Sequence, residues 1–193
     1  MTLVSRYHPA LVALHWLLAL LIIAALALGA LVMVKIPNAS PMKLEALRSH
    51  MMGGMLILGL MLVRLLIRVR SAHPAPASAG HPLLDWLGWA SHRVFYVTVI
   101  AMAGSGIAMA LQSGLFDTVL FGHGKVPDDF WAFPIRRVHY LLSRVLMTLI
   151  AIHVTAALYH ALLLRDGLLG RMWFGRRRTT ATASNANTPS VQS

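Results

Sequence analysis

Apolar residues run along this chain in four long blocks, at about 9–34, 44–69, 84–111 and 138–164, with short polar breaks between them. Each block exceeds the ~20 residues that a helix needs to cross the ~30 Å hydrocarbon layer of a bilayer. None shows the period-two alternation of barrel strands, and backbone groups in lipid must bond within their own segment or within a closed barrel. The pattern predicts an all-α fold: an integral membrane four-helix bundle in one domain, residues 1–175. Pro37-Asn38-Ala39-Ser40-Pro41 breaks the first hairpin, and Ser71–Pro82, with three prolines, separates the two hairpins. Gln112–Pro134 is the longest connection, and its Phe116, Phe121, Phe130, Trp131 and Phe133 suit an outer interfacial shelf. Residues 176–193 read as a disordered polar tail.

The first block has a rival reading as a secretory signal peptide, with small residues at Ala25–Ala30 as the cleavage site. The apolar run is too long for that, and His15-Trp16 inside it does not belong in such a segment.

Composition narrows the class. Of 193 residues, 58% are hydrophobic and 12% charged, which is too apolar for a water-soluble domain. There are no cysteines, which excludes disulfides, thiolate metal sites and covalent c-type haem attachment. Any haem would be held non-covalently, through histidine or methionine.

The net charge is +11, and its distribution gives an orientation. An even number of spans puts both termini on one side, with Arg6, Arg64, Arg68, Arg70, Arg93, Arg165, Arg171, Arg176, Arg177 and Arg178 against only Asp85 and Asp166. The other side holds Lys35, Lys43, Arg48, Lys125, Arg136 and Arg137 against Glu45, Asp117, Asp128 and Asp129. The Lys/Arg excess predicts that both termini are cytoplasmic. Nucleic acid, the other usual partner of such basicity, is not expected, because the arginines cluster at helix ends where they anchor a protein against membrane lipid.

Histidines carry the candidate chemistry. His139 and His153 lie fourteen residues apart in the fourth block, nearly four whole turns, so both leave one helical face ~21 Å apart along the axis. His50 enters the second block near the outer face, and His15 enters the first near the inner face. Depth therefore pairs His50 with His139 outside and His15 with His153 inside, as two haems stacked across a bilayer require. A single histidine in such a block is more often a hydrogen-bonding core residue; four at matched depths favour cofactor binding. Zinc or iron held by imidazoles alone is the alternative, but a mononuclear site needs its ligands within reach of one ion, not spread over two depths. Two flat macrocycles with two axial ligands each fit better.

Several neighbours stay open between two uses. His160, seven residues after His153, shares its face, so on depth alone His15 could meet either. His160 could also bond a haem propionate, bind quinone or sit at the interface. His92 has no obvious axial partner, and His8, His73, His81 and His123 fall in loops. Gly53-Gly54 and Gly104-Ser105-Gly106 suit either a flat group or close helix packing. Arg64, fourteen residues after His50, is placed for an inner propionate or for snorkelling. Arg136 and Arg137, just before His139, are placed for outer propionates or for attracting anions.

His15-Trp16, His50 with the later run Leu62-Val63-Arg64-Leu65-Leu66-Ile67-Arg68, Ser91-His92-Arg93 before Tyr96, and His139…His153…His160 together resemble the bacterial cytochrome b561 family, from about Arg6 to Trp173. Those proteins are small four-helix di-haem membrane cytochromes. The resemblance implies two haem b, with His15 and His153 as one axial pair and His50 and His139 as the other. It also implies superoxide oxidation at the periplasmic face, with electrons passed to ubiquinone. Arg144 stands where a small polar residue is expected in this family, and its charge would raise the outer haem's potential. Two axial imidazoles leave no open position at iron, so such a centre serves electron transfer rather than bond-making. The first expected function is thus a superoxide:ubiquinone oxidoreductase of the inner membrane, its outer cations steering superoxide. The second is an electron-carrier subunit linking a periplasmic dehydrogenase or hydrogenase to the quinone pool. A transporter or structural protein with polar core histidines is the non-redox reading.

Overall fold

The computed structural model describes residues 2–74, 81–175 and 179–181. Helix α1 (Pro9–Ala27) runs on through a π-helical turn at Leu28–Val32 and a 3-10 turn at Met33–Lys35. Helices α2 (Pro41–Arg70) and α3 (Pro82–Gln112) follow. The short α4 (Leu115–Phe121) precedes α5 (Ile135–Tyr159), which continues as a π-helical turn at His160–Leu164, and then a one-turn α6 (Leu168–Arg171). Among the described residues, four segments are long and apolar enough to cross a membrane: Pro9–Lys35, Pro41–Arg70, Asp85–Gln112 and Ile135–Leu164. The four-span reading holds.

The helix starts share one device. His8, Ser40 and His81 each accept a hydrogen bond from the backbone N–H two residues on, and each is followed by proline at the first helical position. Proline lacks the N–H that would go unpaired there, and its fixed φ suits the first turn. His8 and His81 are therefore caps, not merely solvated loop residues. Polar Lys43, Glu45 and Arg48 hide the true start of α2 from a hydropathy reading, which places it three residues late. Lys43 is buried and turns back on α1, its Nζ donating to the carbonyls of Met33 (2.7 Å) and Ile36 (3.1 Å). It stabilises carbonyls that the helix end leaves without partners.

Consecutive helices pack as hairpins, α1 on α2, α2 on α3 and α3 on α5. No comparably close backbone contact joins α5 to α1 or α2 among the described residues. Leu18, Ile57, Met61, Tyr96, Val99 and Leu146, one layer drawn from all four spans, form the buried middle of the bundle. A second cluster (Leu47, Ala110, Leu115, Val119) lies under the 113–134 connection. That connection contains the short helix α4. Gly114 (φ 69°) and Gly122 (φ 71°) bracket α4 in left-handed conformations that cost other residues more. Arg48 fastens α4, donating through Nε and Nη2 to the Val119 carbonyl at 3.3 and 3.2 Å and through Nη1 to Glu45 at 2.8 Å.

The first and last described stretches of the chain meet at the opposite end, as four spans require. Arg6 Nη1 donates to the carbonyls of Gly170 (2.6 Å) and Trp173 (3.2 Å), and Trp16 Nε1 to that of Met172 (3.0 Å). Thr2–Val4 pairs antiparallel with Thr179–Ala181. Of the tail expected to be disordered, residues 179–181 form this strand, while 176–178 and 182–193 lie outside the described residues, as do 75–80 of the proline-rich linker. Below, the end holding the termini is the terminal end and the other is the far end.

Candidate functional site

Two pairs of imidazoles face each other across the bundle, one on each side of the apolar middle layer. His50 on α2 and His139 on α5 have ring centres 6.2 Å apart toward the far end. His15 on α1 and His153 on α5 have ring centres 6.2 Å apart toward the terminal end. The spacing has a chemical meaning. Two metal–imidazole bonds of ~2.0–2.1 Å, with ~1.1 Å from each nitrogen to its ring centre, place the rings ~6.3 Å apart across one metal ion. Direct hydrogen bonding would bring the rings closer, whereas an edge-to-face pair, the relative orientation seen here, spans the same range.

In the far-end pair, His139 is held so as to present its Nε2, whereas His50 Nδ1 is buried without a hydrogen-bond partner. The Ser105 hydroxyl has one proton, donated to the Met102 carbonyl (2.8 Å), so it accepts from His139 Nδ1 at 2.9 Å. That fixes the proton on Nδ1 and leaves the Nε2 lone pair for a metal, the usual service of a histidine's outer partner. His139 is buried at 9% exposure and Ser105 at 5%. Glycines make room for the rings. A Cβ on Gly106 of α3 would sit 3.3 Å from His139 Cε1, and one on Gly29, in the π turn after α1, 3.5 Å from His50 Cε1. Gly53, Gly54 and Gly104 face open space instead. The ambiguity left by the small residues thus splits: Gly29, Ser105 and Gly106 back the imidazoles, and Gly54 lines the cavity beside them.

That cavity measures about 720 Å³ and is walled by His50, His139, Gly54, Met51, Met102 and Met147 among others. This lies in the range of cofactor sites, which are mostly apolar with a few placed polar groups. Arg136 and Arg144 also line it, with the Arg136 guanidinium 4.9 Å from the centre of the Trp131 ring. Arg137 is exposed.

The terminal-end site holds a third imidazole that sequence reasoning left without a partner. His92 on α3 has its ring centre 6.1 Å from that of His153, and Phe95 sits edge-on to His153 at 5.3 Å. Ring distance alone does not choose between His15 and His92 as the partner of His153. Backbone packing differs between the two: α3 packs closely on α5, whereas α1 and α5 share no comparably close contact among the described residues. A signal for this face was present: Gly106 follows His92 by fourteen residues, the same spacing as His139 to His153.

Arg64 belongs to the same end. It is buried at 8% exposure, which excludes snorkelling, and its Nη1 donates to the Tyr96 hydroxyl. Its Nε is buried without a hydrogen-bond partner, an unmet donor of the kind a carboxylate would satisfy. His160 does not reach toward His15. Its Nδ1 donates to Asp166 Oδ2 at 2.5 Å, and that bond holds the Asp166 carboxyl below the usual carboxylate range. No group of three metal-binding side chains gathers around a common point among the described residues, which argues against the zinc alternative.

The arrangement therefore fits two flat, bis-imidazole metal centres, with an apolar layer between them and one buried or half-buried arginine near each. Comparisons with known proteins agree in kind. The family profile described as prokaryotic cytochrome b561 matches residues 6–175. A protein of Yersinia pestis named probable superoxide oxidase CybB is 28% identical over 174 residues, covering 87% of this chain and 96% of its own. Cytochrome b561 homolog 2 of Escherichia coli K12 is 28% identical over 177 residues, covering 87% of this chain and 91% of its own.

Proposed function

From the premise that the chain belongs to the prokaryotic cytochrome b561 family, multi-pass haem b proteins of electron transfer in the bacterial inner membrane, we propose that it is a di-haem superoxide:ubiquinone oxidoreductase. In this reading His50 and His139 hold one haem b at the far, periplasmic end. His15 and His153 hold the second at the terminal, cytoplasmic end. The observation that carries the proposal is the repeated 6.2 Å spacing between imidazoles on helices held apart. When bound, the two haems supply one-electron storage and exchange without open coordination positions.

The residues of the chain do the rest. His139, its proton held by Ser105, offers Nε2, and Gly29 and Gly106 let both far-end rings lie back against their neighbours. Arg64 Nε and the cavity-lining Arg136 are the donors placed for propionates, one at each end. The middle layer of Leu18, Ile57, Met61, Val99 and Leu146 excludes water between the two levels. Exposed Arg137 and half-buried Arg136 give the far end a positive face that draws small anions to it. Two superoxide anions each give up one electron there and leave as dioxygen. One ubiquinone takes both electrons, with two protons from the terminal side, where His160 and Asp166 form a hydrogen-bonded pair just beyond α5. The superoxide assignment draws on the name of the Yersinia relative.

The test is a purified, haem-loaded preparation supplied with superoxide and a short-chain ubiquinone. Superoxide is expected to disappear faster than by dismutation, only when quinone is present, and more slowly as salt is raised. Loss at the spontaneous rate, with two haem b still bound, would leave the carrier-subunit reading in its place.

A further inference from the structure

Arg144 is the one cation on the wall of the far-end cavity, among the described residues, that no protein group engages. Lys43 is tied to the carbonyls of Met33 and Ile36, and Arg136 lies against the Trp131 ring. Asp128 and Asp129 line the same cavity, yet neither pairs with Arg144: the ion pairs among the described residues are Arg48–Glu45 and His160–Asp166. The Asp129 carboxylate instead accepts from the Trp131 backbone N–H at 2.8 Å.

Arg144 comes nine residues after Ile135, ~13 Å along the helix axis. It is exposed on the cavity wall. Arg144 also shares a helical stripe with cavity-lining Arg136 and Tyr140, at successive intervals of four residues, and follows His139 by five, ~7.5 Å along the axis.

We infer that Arg144 sets the reduction potential of the centre held by His50 and His139, an inference that rests on the proposed haem at that site. Adding one electron to the iron lowers the charge of the centre by one, while both imidazoles stay neutral. A cation on the wall beside the centre favours the form with the extra electron. The far-end haem is therefore easier to reduce than its ligands alone would make it, which suits it to take electrons from a weak donor at that face. The terminal-end centre has its own arginine, Arg64, on a different helix, so the two potentials are set by separate residues.

A redox titration followed by haem absorbance tests this, with dithionite as the electron source and ferricyanide as the sink. Arg144→Leu is expected to make one of the two haems at least tenfold harder to reduce, which is ~59 mV for a one-electron couple. The other haem is expected to hold its midpoint, and Arg144→Lys to recover most of the shift. Repeating Arg144→Leu in a His139→Ala background, where only the terminal-end haem remains, is expected to leave that midpoint unmoved. Unchanged midpoints in Arg144→Leu, or equal shifts in the Leu and Lys variants, would overturn the inference. A wild-type protein that binds fewer than two haems would instead overturn the reading on which it rests. Should Arg144→Leu fail to assemble, Arg144→Gln carries the same comparison.

Discussion

Removing one hydroxyl tests the far-end site most directly. Ser105 gives its proton to the Met102 carbonyl and receives that of His139 Nδ1 at 2.9 Å, with both side chains buried. Ser105→Ala strips His139 of its acceptor. A buried donor left unmade costs ~1–3 kcal/mol. Removing an outer partner of a metal-bound histidine typically lowers metal affinity ~10–100-fold, which is ~1.4–2.8 kcal/mol. The two routes to the magnitude agree because they describe one event: the ring loses its fixed tautomer, and a proton on Nε2 blocks coordination. Ser105→Ala is thus expected to hold its far-end haem ~10–100-fold more weakly and its terminal-end haem as the wild type does. Ser105→Thr, which keeps the hydroxyl, is expected to hold both. The assay is competition with apomyoglobin as haem acceptor, read as haem-to-protein ratio by the pyridine haemochrome spectrum. Two haems held by Ser105→Ala as tightly as by the wild type, with unshifted potentials, would refute the claim that Ser105 orients a ligand.

Other outcomes follow from the same geometry. His15→Ala is expected to lose one haem while His92→Ala keeps two, because α3 packs closely on α5 and α1 does not; the reverse result, read by haem stoichiometry, would exchange their roles. His50→Ala is expected to lose the other haem and leave the terminal-end spectrum intact. Gly106→Val is expected to lower far-end haem occupancy, since even a Cβ there approaches His139 Cε1 to 3.3 Å, while Gly53→Ala, facing open space, leaves occupancy unchanged. Arg64→Met is expected to reduce terminal-end haem retention by removing a buried guanidinium and its unmet Nε donor, with far-end retention unaffected.

The spans were legible because lipid makes composition decisive, and the histidine pairs because helix rise converts spacing into depth. What stayed hidden depends on packing between helices. His92 meets His153 only because α3 and α5 lie close, and no single-helix periodicity reports that distance. Ser105 and Gly106 were visible as small residues, but choosing between helix packing and support of His139 needed the ring's position. Lys43 reads as an outer cation free to steer anions, yet its ammonium is spent on the carbonyls that close α1. His160 shares the face of His153 by spacing, but the left-handed turn at Arg165 brings Asp166 back against it.

The aliphatic plane between the two imidazole levels also acts as a permeability barrier. Tyr96 is the one residue of that buried layer with a polar side chain, its hydroxyl accepting from Arg64, and Leu18, Ile57, Met61, Val99 and Leu146 offer no donor or acceptor to extend a chain along which a proton could hop. An electron tunnels through such a layer, but hydrated ions do not. In the proposed reading, current through this protein is therefore carried by electrons alone, and each turnover moves negative charge from the far end to the terminal end without an accompanying ion.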